Sequence, residues 1–189
     1  MRFGLFVPQG WRLDLVGIDP SDQWSAMRDF ALRADQGSSW DSLWVYDHFH
    51  TVPAPTEEAT HEAWTLMSAF AAVTSRVRLG QMCTAMSYRN PAYLAKVAAT
   101  TDLISGGRVE MGIGGGWYEH EWKAYGYGFP SPVCVSADST RACRSCVRPG
   151  PTAPRPSKAS TTRSTEPSSA HFRCRKAAFH CGSPAAARR

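Results

Sequence analysis

Apolar positions along the first two thirds of this chain alternate between short unbroken runs and stretches with helical spacing. "RFGLFV" is an apolar run with no alternation, which predicts a buried parallel strand. "IDPSDQWSAMRDFALRADQ" follows, in which Asp19 is placed to cap a helix with Pro20 at its first position. Trp24, Met27, Phe30, Ala31 and Ala34 then share one face of that helix. "DSLWVYDHF" predicts a second strand ending at Tyr46 or Asp47. A second helix is predicted over Glu62 to Val73, its apolar positions being Trp64, Leu66, Met67, Phe70 and Val73. "RVRLGQMCT" is a third strand. "RNPAYLAKVAATTDLISGGR" is the clearest helix: Asn90 caps it, Pro91 opens it, and Gly106 or Gly107 ends it with a left-handed residue. "VEMGIGGGW" is a fourth strand running into a glycine turn, with another helix from Glu119. Four strand–helix units in succession require a parallel sheet with crossover helices. A doubly wound sheet and a (β/α)8 barrel both satisfy that pattern.

The pattern stops at Pro132. From Val133 to Arg189 there is no Leu, Ile, Met, Trp or Tyr. The charge balance changes at the same place. Residues 1–132 carry 10 Lys/Arg against 14 Asp/Glu, and residues 133–189 carry 11 against 2. Five of the six cysteines also fall in the second part: Cys134, Cys143, Cys146, Cys174 and Cys181. We therefore read residues 1–132 as one α/β domain and residues 133–189 as a basic, disordered tail, whose few large apolar residues cannot offset the chain entropy of folding. "MRFGLFVPQG" has one basic residue and an apolar run cut short at Pro8, so no secretory leader is expected. No run of about 18 apolar residues occurs, and a cytoplasmic protein without a membrane partner is the expectation.

In either parallel architecture, ligands gather at the carboxyl ends of the strands. That rule selects Val7 to Gln9, Asp47 to His50, Cys83 to Met86, and Gly114 to Glu121. In "YDHFH", His48 is a candidate general acid or base, because imidazole titrates near neutrality. The plainer reading is that Asp47 and His48 hold loop backbone. His48 and His50 lie two apart on extended chain, but no third ligand is evident and no metal site is expected. "GIGGGW" matches only a fragment of the dinucleotide fingerprint, since Trp117 stands where the third glycine belongs and the turn follows the fourth strand. Its glycines allow a phosphate or a ring to approach backbone N–H groups, or simply make a tight turn.

"MRFGLFVPQG", "WVYDHF", "RVRLGQMCT", "YRNPAYLAKVAATTDLISGGR" and "GIGGGWYEHEWKAYGYGFPS", in this order and spacing, resemble the bacterial-luciferase-like oxidoreductases. Within that family they look most like the branch that uses the deazaflavin coenzyme F420. The resemblance implies a TIM barrel binding F420, with FMN the alternative, at its carboxyl mouth. It implies hydride transfer between that ring and a small-molecule substrate. It places Asp47 and His48 beside ring or substrate, Thr84 near the ring, and Gly114, Gly115, Gly116 and Trp117 around the cofactor, with His48 the one candidate catalytic residue. Sugar-phosphate dehydrogenases of the family carry "DHF" followed shortly by Trp, and a Glu after the glycines. Here "HTVPAPTEE" and Trp117 stand at those places, which leaves the substrate open.

A barrel needs eight strands and typically about 250 residues, and family-like sequence ends here after four. Shifting the reading frame of the tail by one base accounts for its composition. Ser139–Ser145 then permits L-D-E-G-V-Q-I, and "HCGSPAAARR" permits P-L-W-I-A-G-G-G-E-K, phrases expected of the next helix and fifth strand. Aliphatic codons with a central T become Ser and Cys codons in the slipped frame. The expectation is a truncated product, weakly active or inactive, with its exposed half-barrel edges open to self-association. The tail's alternatives are a zinc module on Cys143 and Cys146 with Cys174, His180 and Cys181, or a basic arm for nucleic acid. The slipped frame accounts for the charge without a nucleic-acid partner.

Overall fold

The computed structural model describes residues 1–129 and the backbone pairing of His180 and Cys181. The disordered, frame-shifted and zinc-module readings of the tail otherwise lie outside the described residues.

β1 (Gly4–Phe6), β2 (Ser42–Val45), β3 (Arg78–Gln81) and β5 (Val109–Glu110) form a parallel sheet in that order. β4 (Thr84–Ala85) continues β3 beyond the cis peptide Met82–Cys83, and β6 (Gly112–Gly114) continues β5 beyond Met111. β4 and β6 pair in parallel. β7 (His180–Cys181) lies parallel on the far side of β6, in the position of a fifth stave.

Two features separate the architectures that the pattern left open. The strands add in chain order with β1 at one side, whereas a doubly wound sheet reverses its order beside the first strand. The helices α1 (Pro20–Gln36), α2 (Ala63–Val73) and α3 (Pro91–Ser105) also share one core with Leu5, Leu43, Val45 and Leu79. Those strand residues alternate with Gly4, Phe6, Trp44 and Gly80, which face the other way. Helices on one face and sequential strand order are the first four units of a (β/α)8 barrel. Inside, the Trp44 ring lies across its two neighbouring strands, over Gly4 and Gly80, where any Cβ would strike it.

Capping follows the sequence closely. Asp19 accepts the Ser21 N–H at 2.9 Å, with Pro20 opening α1. Asn90 accepts the N–H groups of Ala92 and Tyr93, and Gly106 ends α3 at φ 70°. The short α4 (Glu119–Ala124) starts at the expected residue.

Burial differs in three places. β1 is not fully buried: Phe6 is 40% exposed, because β1 pairs only with β2 and its inner face meets no opposing strand among the described residues. Trp24 and Val73 are exposed rather than core. On α1 the buried face instead includes Gln23, whose amide reaches His61 at 2.8 Å and the Ile18 carbonyl at 3.3 Å. The predicted third and fourth strands are each interrupted, at Met82–Cys83 and at Met111, and their carboxyl ends pair with each other as β4 and β6.

Candidate active site

The carboxyl ends of the first strands are tied together by buried polar side chains. Gln9, just past β1, donates to the carbonyls of Tyr46 (2.7 Å) and His61 (2.6 Å) and accepts the Tyr46 N–H (2.7 Å). This clamps the β1 end to the β2 end. Gly10 then turns with φ 94°, a conformation that favours glycine, under the Ala59 carbonyl. The turn delivers Trp11, which is buried, into the mouth.

Asp47 is buried and faces protein partners. One oxygen accepts the Ala85 N–H (2.7 Å) and Arg89 Nη1 (2.6 Å), and the other accepts Arg89 Nη2 (2.8 Å). Arg89 also donates to Glu62 at 2.7 Å. Burial works against the Arg89 cation, but its bonds to Asp47 and Glu62 push its pKa up and hold it charged. The pair fastens the end of β2 to the start of β4.

The next residue points elsewhere. His48 stacks on Trp11 with ring centroids 4.4 Å apart and planes 5° from parallel. Its Nδ1 lies 2.9 Å from Glu121 Oε2. Trp117 and Tyr118 meet the same ring edge-on at 6.0 and 6.3 Å. Among the described residues its Nε2 has no hydrogen-bond partner.

Glu121, on α4, is 0% exposed. Its Oε1 accepts the N–H groups of Phe49 (2.5 Å) and His50 (3.2 Å), and its Oε2 accepts the Tyr88 hydroxyl at 2.6 Å. Burial alone would raise this carboxyl, but the hydrogen bonds from His48, Tyr88 and Phe49 hold it below the usual carboxylate range. The reverse applies to the Tyr88 phenol, pushed up by burial and by the carboxylate it serves.

The remaining candidates lie around this group. Thr84 is buried at the start of β4, its hydroxyl donating to Gln81 Oε1 at 2.6 Å. Gln81 Nε2 is buried beside it with no partner. Gly114 ends β6 with Cys83 close beneath it, and Gly116 turns at φ 82° over the Trp122 ring, which a Cβ would strike. Gly115 lies between them. Trp117 is 64% exposed and stacks on Tyr118 at 5.1 Å.

The structure thus brings His48, Trp117 and the glycine turn together at one mouth, and sets Asp47 and Thr84 within the wall beneath. The residues fit a planar ring. The turn carries no side chain to exclude one, Trp117 offers an exposed aromatic face, and the Gln81 amide donor is buried without a partner. Among the described residues no cluster of three metal-ligand side chains occurs, and no helix is long and apolar enough to cross a membrane. Sequence reasoning placed Glu121 at the edge of one of its four regions but gave it no role, and it passed over Tyr88 and Arg89. An acidic residue between His120 and Trp122, five positions after Gly116, was the available signal for Glu121.

These ionisations set the acid response. Burial pushes the His50 and His61 imidazoles down, so each binds a proton less readily when folded than when unfolded. Their contribution is complete above the ordinary imidazole range of about 6.5 and is lost as pH falls below it. The depressed carboxylates Glu121 and Glu62 contribute above the ordinary value of about 4 and are lost below it. Both act in one direction. The thermal midpoint is therefore expected to decline from about pH 6.5 and again below about pH 4. A midpoint that rises on acidification would contradict this assignment.

The sequence profile of the luciferase-like monooxygenases matches residues 1–176. An F420-dependent glucose-6-phosphate dehydrogenase of Amycolatopsis mediterranei is 37% identical over 121 residues, covering 61% of this chain and 35% of that enzyme. A phthiodiolone/phenolphthiodiolone dimycocerosates ketoreductase of Mycobacterium tuberculosis is 36% identical over 110 residues, 49% of this chain and 29% of that one. Among solved structures, an F420-dependent secondary alcohol dehydrogenase holding an F420–acetone adduct superposes with a TM-score of 0.61 at 26% identity. That match covers 77% of this chain and 40% of the other. The FMN-bound oxygenating constituent of a 3,6-diketocamphane monooxygenase from Pseudomonas putida shares the fold, with a TM-score of 0.60 at 20% identity. This chain spans about a third of the length of these curated relatives.

Proposed function

Because the chain belongs to the luciferase-like monooxygenase family, we propose that it derives from an oxidoreductase that moves a hydride between coenzyme F420, or alternatively FMN, and a small organic substrate. The observation that carries this reading is the placement of His48: one ring nitrogen is held by a buried carboxylate and the other has no hydrogen-bond partner among the described residues. The tricyclic ring, when bound, supplies the hydride chemistry. The protein's own part is to orient and to manage the proton.

His48 Nε2 takes a proton from a substrate hydroxyl as it is oxidised, or returns one to a carbonyl as it is reduced. Trp11 fixes the imidazole plane by stacking on it. Gly114, Gly115 and Gly116 let a ring approach backbone, and Trp117 supplies an aromatic wall. Thr84 and the unpaired Gln81 amide stand below as polar contacts for the ring's edge. Asp47 acts through the wall, holding the β2 end against β4 by way of Arg89.

The 189-residue product itself is expected to be nearly or wholly inactive. Its sequence from Val133 onward reads as an out-of-phase translation, so residues 133–189 do not write the staves that would complete the mouth. The test is to translate the same DNA with the phase restored after Pro132. Both chains are then assayed for coenzyme F420 and FMN turnover against small alcohols and ketones. Turnover by the restored chain and none by the 189-residue chain is expected. Comparable turnover by both would refute the truncation, and turnover by neither would count against the oxidoreductase reading.

A further inference from the structure

We infer that Glu121 is a positioning residue that fixes His48 as its Nδ1–H tautomer, leaving Nε2 unprotonated at the mouth as the atom that accepts a proton. This rests on the reading of His48 as the acid–base group.

The two nitrogens of a neutral imidazole have opposite roles, and the partner of one decides the role of the other. Here Nδ1 faces Glu121 Oε2 at 2.9 Å. Everything else within hydrogen-bond reach of that carboxylate donates to it. The N–H groups of Phe49 and His50 can only donate. The Tyr88 hydroxyl at 2.6 Å remains a donor, because burial and the carboxylate both oppose its ionisation. A carboxylate with three donors around it is held as an acceptor, so the proton between Oε2 and Nδ1 belongs on the imidazole. The ring cannot turn over freely, being stacked on Trp11 at 4.4 Å and bordered edge-on by Trp117. Nε2, on the far side of the ring from Nδ1, therefore keeps its lone pair toward the mouth.

Other titratable groups face the pair. His50 and His120 lie 5.2 Å apart on the adjoining loop and on α4, Tyr118 borders the His48 ring, and Asp47 lies beyond Tyr88. Asp47 is tied to Arg89, and none of the others reaches Nδ1 within hydrogen-bond distance.

A purely structural Glu121 would need only its two backbone contacts to staple the residue 48–50 loop. The amide of Glu121→Gln separates these roles. Its oxygen can keep the Phe49 and His50 N–H groups, which turns its NH2 toward Nδ1 and Tyr88. A donor facing Nδ1 requires the opposite tautomer.

The measurement is the pair of imidazole 15N shifts of His48 in the 189-residue chain, assigned by loss of the signals in His48→Gln. It is made at a pH above the ordinary imidazole range. The wild type is expected to show a predominantly Nδ1–H ring, and Glu121→Gln to reverse it to Nε2–H. A predominantly Nε2–H wild type, or no change in the variant, overturns the inference. The wild-type spectrum decides alone if the variant fails to fold. None of these outcomes depends on turnover, so failure here leaves the oxidoreductase reading standing. An Nδ1–H ring together with full turnover in phase-restored His48→Gln would instead sink the acid–base role.

Discussion

His48→Gln in the phase-restored enzyme is expected to lower turnover by about 10²–10⁴-fold, the range for loss of a positioned acid or base. Coenzyme binding should change far less. The imidazole is bonded to Glu121 and stacked on Trp11, and it meets Trp117 only edge-on at 6.0 Å, with no hydrogen bond to Gly114, Gly115 or Gly116. Gln preserves bulk and a hydrogen-bond donor toward Glu121, so the loop from His48 to His50 keeps its other two anchors. A variant with undiminished turnover would remove His48 from the chemistry. Equal losses of binding and rate would make it a wall of the ring site.

Asp47→Ala is expected to produce the largest loss of stability. The side chain is buried, and it holds Arg89 through two hydrogen bonds. Removing one member of a buried ion pair typically costs about 3–5 kcal/mol, because the surviving charge is left desolvated. Arg89 keeps Glu62 at 2.7 Å, which places the expected cost near the lower end, about 3 kcal/mol. The Ala85 N–H loses its acceptor as well. Urea midpoints of wild type and variant measure this directly. Asp47→Leu combined with Arg89→Met should recover part of the loss, since an apolar pair leaves no buried charge stranded there and Glu62 is 40% exposed and keeps the Thr65 N–H. An unchanged midpoint for Asp47→Ala would mean that the ion pair does not bind the β2 end to β4.

The elements that could be read from sequence were those whose signals are local. α3 announced itself through Asn90, Pro91 and Gly106, all within one segment, and each acts in the structure as its chemistry suggested. The order of strands could not be read that way, because helical and strand periods are the same in wound sheets and barrels. It needed the pairing of β1, β2, β3 and β5 in chain order. Burial of β1 was over-read for a related reason: an apolar run marks a strand that prefers to be covered, while the cover comes from other strands.

The candidate site divides in the same way. His48 and the glycine turn were visible because strand ends collect ligands and because their residue types are unusual together. The groups that orient them were not. Glu121 is 73 positions from His48 and 33 from Tyr88, and in its own segment it looks like one charge of a short solvated helix. Arg89 precedes a helix cap and reads as surface, yet the turn after β4 carries it back to Asp47 across 42 positions. Contacts of that span arise from the side-by-side packing of successive strand–helix units, which no local spacing encodes.

Equilibrium titration of coenzyme F420 against the purified 189-residue chain and its phase-restored counterpart puts the half-built mouth to the most direct test. The restored chain should bind about one coenzyme per barrel, there being one mouth per barrel, and the 189-residue chain should show no stoichiometric binding. Saturable one-to-one binding by the 189-residue chain would contradict this reading.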